Sequence, residues 1–298
     1  MQNRRLFQPV DAALLIAVLI WGTNISVTKT ALAEISPLAF NSIRFVIAPT
    51  LLLALARLID GDIAVPRRVW PMMALTGVLG HFAHQMFFVL GMARTTATNT
   101  ALLLAMTPIF VGLIGVATGS ERLRRSNWLG ILLSFAGIFL VIGTQGSGLQ
   151  VGQQTLMGDL LVLGCVVLWA LYIVLSKDLV QRTSALKAAA WTMACGAPLI
   201  VLAGLNEFRA QDWHAVSMGS WLGLGYSTVF SLAASYAIWN TGVRKVGSAR
   251  VAVYSYLTPL VTVVFSALFL GEVMRPLQAV GGLAVLIGVA MGRQDGSG

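Results

Sequence analysis

The sequence predicts an all-α integral membrane protein of ten transmembrane helices, built as two inverted five-helix repeats with both termini in the cytoplasm. Three observations lead to this prediction. The chain of 298 residues is 57% hydrophobic and only 10% charged, whereas a soluble domain carries charge on roughly a quarter of its residues. Ten apolar stretches are each long enough to cross the ~30 Å hydrocarbon core of a bilayer. The two halves of the chain also match one another at a nearly constant offset.

The apolar stretches are separated by short connections, which leave no room for an extramembrane domain. Helix is the expected form of each stretch, because a backbone in lipid must satisfy its own hydrogen bonds. The first stretch follows Arg4 and Arg5 but is too long for a cleavable signal peptide and lacks the small-residue exit, so we expect it to be retained. The predicted spans are 11–31, 36–56, 69–91, 95–118, 126–143, 157–176, 186–205, 217–240, 247–270 and 276–292.

The basic residues test the number of spans independently. With ten spans, fifteen of the twenty Lys and Arg residues fall on the side that holds both termini, and Arg44 lies within the second span. Cytoplasmic loops are enriched in Lys and Arg, so both termini are predicted to be cytoplasmic. The formal net charge of +9 is therefore explained by membrane topology, and we expect no nucleic-acid partner. The basic residues on the other side are Lys29, Arg94, Arg209 and Arg275.

Residues 1–146 and 147–298 are predicted to be the two repeats of one transmembrane domain. Each repeat has an odd number of spans, so the second enters the membrane in the opposite sense to the first. Inverted repeats of this kind are the architectural basis of alternating access in secondary transporters. The residues that match at offsets of 148 to 151 include Trp21 with Trp169, Lys29 with Lys177, Pro49 with Pro198, Gly91 with Gly242, Pro108 with Pro259, and Glu121 with Glu272.

Four stretches also carry a resemblance to a known family. They are Trp21-Gly22-Thr23-Asn24, Arg44-Phe45, Thr107-Pro108 through Glu121 with Gly130 and Gly137, and Thr258-Pro259 through Gly271-Glu272 with Gly281 and Gly288. On these residues essentially the whole chain resembles the ten-helix EamA-type exporters of the drug/metabolite transporter superfamily. The resemblance implies a secondary transporter, usually an exporter of small metabolites or amino acids, and it leaves the substrate open.

Polar and aromatic residues inside the spans are the candidates for a substrate cavity, because polar groups are costly to place in lipid. Trp21 and Asn24 share one face of the first span, and their repeat partners Trp169 and Tyr172 have the same spacing in the sixth. An aromatic belt at the membrane interface is the alternative explanation of these stripes. The other cavity candidates, each of which could instead join helices, are Arg44, His81, Gln85, Asn99, Tyr236, Trp239, Tyr254 and Tyr256.

Several other residues have a structural and a functional interpretation. Arg44 could hold a substrate carboxylate, or it could pair with Glu34 or with backbone carbonyls. Glycines in the fifth and tenth spans predict close helix packing and leave a homodimer contact open. Glu121 and Glu272 are expected to form surface ion pairs with Arg122 and Arg275 that fix helix ends, with a role in energy coupling as the alternative. Four prolines within spans are candidates for gating kinks, with structural kinks as the alternative: Pro49, Pro108, Pro198 and Pro259.

Several function classes are disfavoured. There is no P-loop, His-Glu-x-x-His or Gly-x-Ser-x-Gly motif, so we expect neither an enzyme nor a cofactor. His81 and His84 lack a carboxylate or thiolate partner for a metal site, and Cys165 and Cys195 are expected to be buried thiols. The span interiors are expected to hold no carboxylate, since Asp11 and Asp159 lie near span starts.

Together these observations predict a secondary exporter of amino acids or similar small metabolites in the cytoplasmic membrane. Its expected partners are a small-molecule substrate and the lipid bilayer. The lack of a membrane carboxylate favours neutral or zwitterionic solutes over cationic drugs. Only His81 and His84 would titrate near neutral pH within the spans, and transport down the solute gradient is favoured over proton coupling. The alternatives are a multidrug-type efflux protein and a non-transporting membrane scaffold.

Overall fold

A computed structural model of the chain describes residues 9–118, 125–143, 153–246, 251, 254 and 257–291. The regular structure in these ranges is helical throughout. Three shorter apolar helices, Trp128–Val141, Thr258–Leu270 and Pro276–Gly288, accompany those that are long and apolar enough to cross a membrane. Within the described ranges, six helices are of spanning length: Pro9–Ala31, Pro37–Asp60, Arg67–Arg94, Ala97–Ala117, Gln154–Arg182 and Ala185–Ala210.

The α-helical segments of the described ranges are numbered in chain order. A short 3₁₀ turn, Arg67–Val69, precedes the third. The segments are α1 Pro9–Ala31, α2 Pro37–Asp60, α3 Trp70–Gly77, α4 His84–Arg94, α5 Ala97–Leu104, α6 Thr107–Ala117, α7 Arg125–Gly143, α8 Gln153–Arg182, α9 Ala185–Ala210, α10 Met218–Tyr226, α11 Ser235–Val246, α12 Thr258–Leu270 and α13 Pro276–Met291.

The spans predicted at 69–91 and 217–240 each contain a π-helical segment. Val78–Ala83 joins α3 to α4, and Ser227–Ala234 joins α10 to α11. The offset of 151 that relates Gly91 to Gly242 carries the first segment onto residues 229–234, inside the second. π-Helical turns are rare and occur frequently at functional sites. Hydropathy does not reveal them, because widening a helical turn leaves the apolar character of the span unchanged.

The four prolines fall into two structural classes. Pro49 lies inside α2 and Pro198 inside α9, as expected for residues within helices. Pro108 and Pro259 lie in the first turns of α6 and α12, and α5 ends at residue 104 before α6 begins at residue 107. A proline lacks an amide hydrogen and is tolerated in a first turn, where no partner for that hydrogen exists. The expectation of four prolines inside helices is therefore corrected for this second pair.

Helix packing pairs α2 with α9, α7 with α13, α4 with α8, and α1 with α12. The glycines predicted to bring the fifth and tenth spans together do so. A Cβ added at Gly137 would lie 2.5 Å from the carbonyl oxygen of Gly281, which means that the backbones of α7 and α13 are in direct contact. Large apolar side chains cover much of the remaining surface, among them Leu58, Phe139 and Leu268. An apolar surface of this kind suits a lipid environment.

Candidate functional site

Seven ring side chains from α1, the first π segment, α4, α8 and α11 form one group, here called the aromatic cluster. Its members are Trp21, His81, His84, Trp169, Tyr172, Tyr236 and Trp239. The rings of Trp169 and Tyr172 stack, with centroids 4.8 Å apart and planes inclined by 10°. The ring centroid of Tyr236 lies 5.6 Å from that of Trp169 and 6.0 Å from that of Trp21. The two polar-aromatic stripes identified in the sequence therefore meet between the helices.

The two π segments help to hold this cluster. The indole nitrogen of Trp21 donates a hydrogen bond to the carbonyl oxygen of Ser231, in the second π segment, at 3.0 Å. In the first π segment, a Cβ added at Gly80 would lie 2.7 Å from the Cβ of Tyr172. Only a glycine at this position lets the Tyr172 ring approach the backbone so closely. His81, the next residue, places its ring centroid 5.0 Å from that of Tyr172.

Arg44 is fully buried, with 1% of its surface exposed. It lies beside this cluster, because the ring centroid of Phe45, the next residue in α2, is 6.0 Å from that of His81. Its Nη1 donates to Asn41 Oδ1 at 2.9 Å, and Asn41 Nδ2 donates to the carbonyl oxygen of Gln85 at 3.1 Å. The guanidinium carbon lies 5.1 Å from the centroid of the Phe40 ring. Within the described residues, no carboxylate forms an ion pair with Arg44. Asn41 was not recognised from the sequence, although its position one turn before Arg44 indicates such a contact.

The sequence suggested Glu34 as a structural partner of Arg44, and this alternative is wrong. The Glu34 carboxylate accepts a hydrogen bond from the amide of Ser217 at 2.8 Å, in the connection between α9 and α10. That backbone hydrogen bond, together with contacts to the Ser217 and Ser220 side chains, lowers the pKa of Glu34 below its ordinary value. Glu34 thus joins two connections at one end of the bundle.

Several buried polar atoms of Arg44, of the aromatic cluster and of residues close to the cluster in sequence have no hydrogen-bond partner among the described residues. They include Arg44 Nε, His84 Nδ1, His81 Nδ1, Gln85 Oε1, Asn24 Oδ1 and Ser235 Oγ. The other ring nitrogen of His81 lies 3.1 Å from Thr192 Oγ1. Buried polar groups are almost always paired in folded proteins. The region around the aromatic cluster therefore combines apolar rings with unused donors and acceptors, as a binding site for an amphipathic molecule would.

A second group of buried and partly buried polar residues, here called the end network, consists of Lys29, Thr95, Thr98, Asn99, Asp159, Glu272 and Gln278. Asp159 is completely buried and accepts a hydrogen bond from Thr95 Oγ1 at 2.5 Å. Asn99 donates to Asp159 at 3.3 Å and accepts from Gln278 at 3.0 Å. The cavity candidate Asn99 therefore belongs to this network and does not join the aromatic cluster.

Glu272 and Lys29 complete the end network through backbone contacts. The Glu272 carboxylate accepts hydrogen bonds from the amides of Ala97 and Thr98, both at 2.9 Å, at the start of α5. A carboxylate is favoured there because a helix N-terminus presents free amides and partial positive charge. Lys29 Nζ donates to the carbonyl oxygens of Met92 at 2.8 Å and Thr95 at 2.5 Å. Glu272 was expected to form a surface ion pair with Arg275. This expectation is corrected, because the Glu272 carboxylate instead caps the N-terminus of α5.

Both carboxylates that were placed near span starts are buried. Asp159 is the seventh residue of the 30-residue helix α8, near its start as expected, and it is completely buried. Asp11 lies in the first turn of α1, as expected, but it is 1% exposed and accepts a hydrogen bond from the Tyr254 hydroxyl at 2.7 Å. Tyr254 therefore contacts Asp11 and is not part of the aromatic cluster. Tyr256 and Glu121 lie outside the described residues.

No group of three or more metal-ligating side chains is found in the described part of the chain. Cys165 is buried and Cys195 partly buried, and both are free thiols.

Comparisons with known proteins agree with this architecture. A solved crystal structure superposes with a TM-score of 0.69 over 95% of both chains at 20% identity, which shows a shared fold. The uncharacterized transporter YyaM of Bacillus subtilis (strain 168) is 25% identical over 270 residues, which is 90% of this chain and 88% of the relative. An uncharacterized transporter of Archaeoglobus fulgidus is 29% identical over 283 residues, or 93% of this chain and 94% of the relative.

The model of the EamA-like transporter family matches the chain twice, over residues 8–143 and 156–292. These two segments together cover most of the sequence. The chain therefore belongs to the EamA-like transporter family and is a multi-pass membrane transporter.

Proposed function

We propose that this protein is a secondary transporter that exports amino acids or similar small metabolites across the cytoplasmic membrane by alternating access. The observation that carries the proposal is the aromatic cluster. Trp21 and His81 come from the first half of the chain, and Trp169, Tyr172 and Tyr236 come from the second. In inverted-repeat transporters the substrate binds at the interface between the repeats.

The chemistry of the cluster favours an amphipathic solute with an apolar side chain. The rings would pack against the apolar part, while the unpaired polar atoms of His84 and Gln85 would serve its polar part. A cationic drug would need a carboxylate at the site. The carboxylates of Asp159, which is buried, and Glu272, which is partly buried, are already engaged in the end network, and Asp11 binds Tyr254.

The proposed architecture has ten spans, two inverted repeats over residues 1–146 and 147–298, and cytoplasmic termini. The twofold match of the family model supports the repeats. Helix contacts support them too, because they occur in pairs related by the repeat. The contact of α1 with α11 corresponds to that of α8 with α4, and the contact of α1 with α12 corresponds to that of α8 with α6. The uneven distribution of Lys and Arg supports the orientation.

The two repeat-related lysines support the alternating-access part of the proposal. Lys29 is bound to backbone carbonyls in the end network. Its repeat partner Lys177 is exposed and has no hydrogen bond to a described residue. A transporter with one end closed and the other open would differ in this way between its two ends.

We further propose that the solute moves down its own gradient. His81 and His84 are buried among aromatic rings, and His81 is held by Thr192. Histidines in such surroundings contribute to packing and hydrogen bonding, and we do not expect them to carry protons across the membrane. An imposed pH gradient should then leave net transport unchanged when the solute is equal on both sides. Uphill movement that is lost in His81→Ala or His84→Ala would contradict this part of the proposal.

The main experiment is solute release from liposomes that contain the purified protein. Vesicles preloaded with labelled amino acids should release them faster than protein-free vesicles, and Trp169→Ala should slow the release. Leu268→Ala is the matched control, because this large side chain is 73% exposed on the outer surface. The proposal fails if amino acids, sugars and amphipathic amines all leave at the rate of empty vesicles.

A further inference from the structure

The burial of Arg44 defines a cation whose charge is not balanced by the rest of the described chain. Arg44 lies seven residues into α2, about 10 Å along its axis at 1.5 Å per residue, and 1% of its surface is exposed. A guanidinium carries five N–H donors and is never deprotonated in practice. A buried charge without a partner is strongly unfavourable. The structure supplies one acceptor, Asn41 Oδ1, and leaves Nε unpaired.

The contact between Arg44 and Phe40 does not account for the unpaired donors. The guanidinium carbon lies 5.1 Å from the Phe40 ring centroid, in the range of a cation–π interaction. Such a contact satisfies no N–H group, and it offers no counter-charge. What would satisfy Arg44 is an oxyanion with two acceptor atoms, because the planar guanidinium matches a carboxylate in a bidentate arrangement.

The surroundings of Arg44 indicate what else the bound molecule carries. Arg44 lies beside the aromatic cluster, because the ring of the adjacent residue Phe45 has its centroid 6.0 Å from that of His81. The His84 ring lies 5.2 Å from Trp169 and stacks on Phe88 at 6.2 Å. A group bound at Arg44 would therefore extend onto apolar rings. Gln85, linked to Arg44 through Asn41, offers an unpaired acceptor, Oε1, for a hydrogen-bond donor of the same molecule.

We propose that Arg44 is the carboxylate-binding residue of the transport site, and that the substrate class is small monocarboxylates bearing a hydrogen-bond donor and an apolar side chain. The substrate carboxylate binds the Arg44 guanidinium, its donor binds Gln85 Oε1, and its side chain packs against Trp169 and Tyr236. This inference rests on the proposed transport function and narrows its substrate class to molecules with a free carboxylate.

The test compares solutes that differ only in the carboxylate. Exchange in liposomes would be measured with L-phenylalanine, its amide and phenethylamine, and binding would be followed in detergent by quenching of tryptophan fluorescence. For the wild-type protein we expect L-phenylalanine to be preferred over both analogues by roughly 10- to 100-fold, the range for one charge-assisted hydrogen bond. Arg44→Gln should abolish this preference.

Two further variants keep the test decisive. Arg44→Lys retains the charge but not the bidentate geometry. It should therefore keep the preference for L-phenylalanine over its two analogues, with a KM raised about tenfold. This variant also provides the test if Arg44→Gln does not fold. Arg94→Gln makes the same change at an exposed arginine and should behave as wild type. Suppose that the wild-type protein exchanges amino acids. If folded Arg44→Gln then keeps the preference for L-phenylalanine, or if Arg44→Lys keeps the wild-type KM, the role of Arg44 is overturned and the transport function stands. Absence of all exchange by the wild-type protein would overturn the proposed function.

Discussion

The end network and the region around Arg44 are both buried and polar, but they treat their polar groups in opposite ways. In the end network Asp159 accepts from two side chains, Glu272 caps α5, and Lys29 binds backbone carbonyls. Around Arg44, atoms of Arg44, His84 and Gln85 lack partners among the described residues. Fully satisfied polar networks make a structure rigid. Burial alone therefore does not mark a binding site, whereas burial with unmet hydrogen-bonding capacity indicates one.

The largest effect is expected from breaking the end network at Asp159. Asp159→Ala removes the acceptor used by Thr95 and Asn99, and we expect it to lower the free energy of unfolding by about 3 kcal/mol. Asp178→Ala is the matched control, because Asp178 forms an exposed ion pair with Arg182 and should cost less than about 1 kcal/mol. Thermal unfolding in detergent would measure both. If both variants lowered the free energy of unfolding equally, the end network would have no special role in stability.

A smaller effect is expected where the first π segment meets the aromatic cluster. Gly80→Ala would force the Tyr172 ring away, at a cost of about 2 kcal/mol for overpacking, and it should slow transport. Gly225→Ala places its methyl group in open space and should stabilise α10 by roughly 0.5–1 kcal/mol. Unfolding and liposome exchange of both variants would be compared. If Gly80→Ala matched Gly225→Ala, the close approach of Tyr172 would have no consequence.

Replacing Arg44 by an apolar side chain should have a smaller effect on stability and the opposite sign. Arg44→Met removes a buried cation that lacks a carboxylate partner among the described residues, so the free energy of unfolding should be unchanged or rise by about 1 kcal/mol. Transport should be lost at the same time, as expected for a residue kept for function at the expense of stability. The same thermal measurement would detect this. A loss of stability comparable to that of Asp159→Ala would make Arg44 a structural residue.

The smallest effect concerns Glu34, which is exposed and lies outside both regions. Its pKa is lowered in the folded protein by the Ser217 amide, so its contribution to stability is present above the pKa of the unfolded chain, about 4.3. That contribution is lost as pH falls through the lower pKa of the folded protein. The melting temperature of the wild type should exceed that of Glu34→Gln slightly at pH 7, and the two should converge in acid. If the difference between the two melting temperatures stayed constant across pH, Glu34 would not have a lowered pKa in the folded protein.

Much of the fold could be predicted from the sequence because lipid constrains it so strongly. Helices are found over each of the predicted spans in the described ranges, since hydropathy reports how a segment meets the bilayer. The glycines of α7 and α13 were also predicted correctly, because a residue without a side chain has few other uses in such helices. The π segments and the break between α5 and α6 were missed, because they depend on local backbone geometry.

The candidate site was only partly predictable. Trp21, Trp169 and Tyr172 could be grouped, because the repeat gave two copies of one spacing. Asn99 and Tyr254 looked equivalent to them in sequence, yet they bind buried carboxylates elsewhere. A polar residue in a span must find some partner, and the sequence does not say which.

The amino-acid composition is enough to establish a helical integral membrane protein. A chain this apolar is stable only in lipid, and a backbone in lipid must form its hydrogen bonds within helices. The sequence also carries the family resemblance, which the two matched segments confirm. Which buried polar groups have hydrogen-bond partners becomes clear only in the folded protein. That property depends on distances of about 3 Å between residues such as Thr95 and Asp159 that are 64 positions apart. Hydrogen bonds require this proximity and direction, and only the packing of the helices against one another creates it.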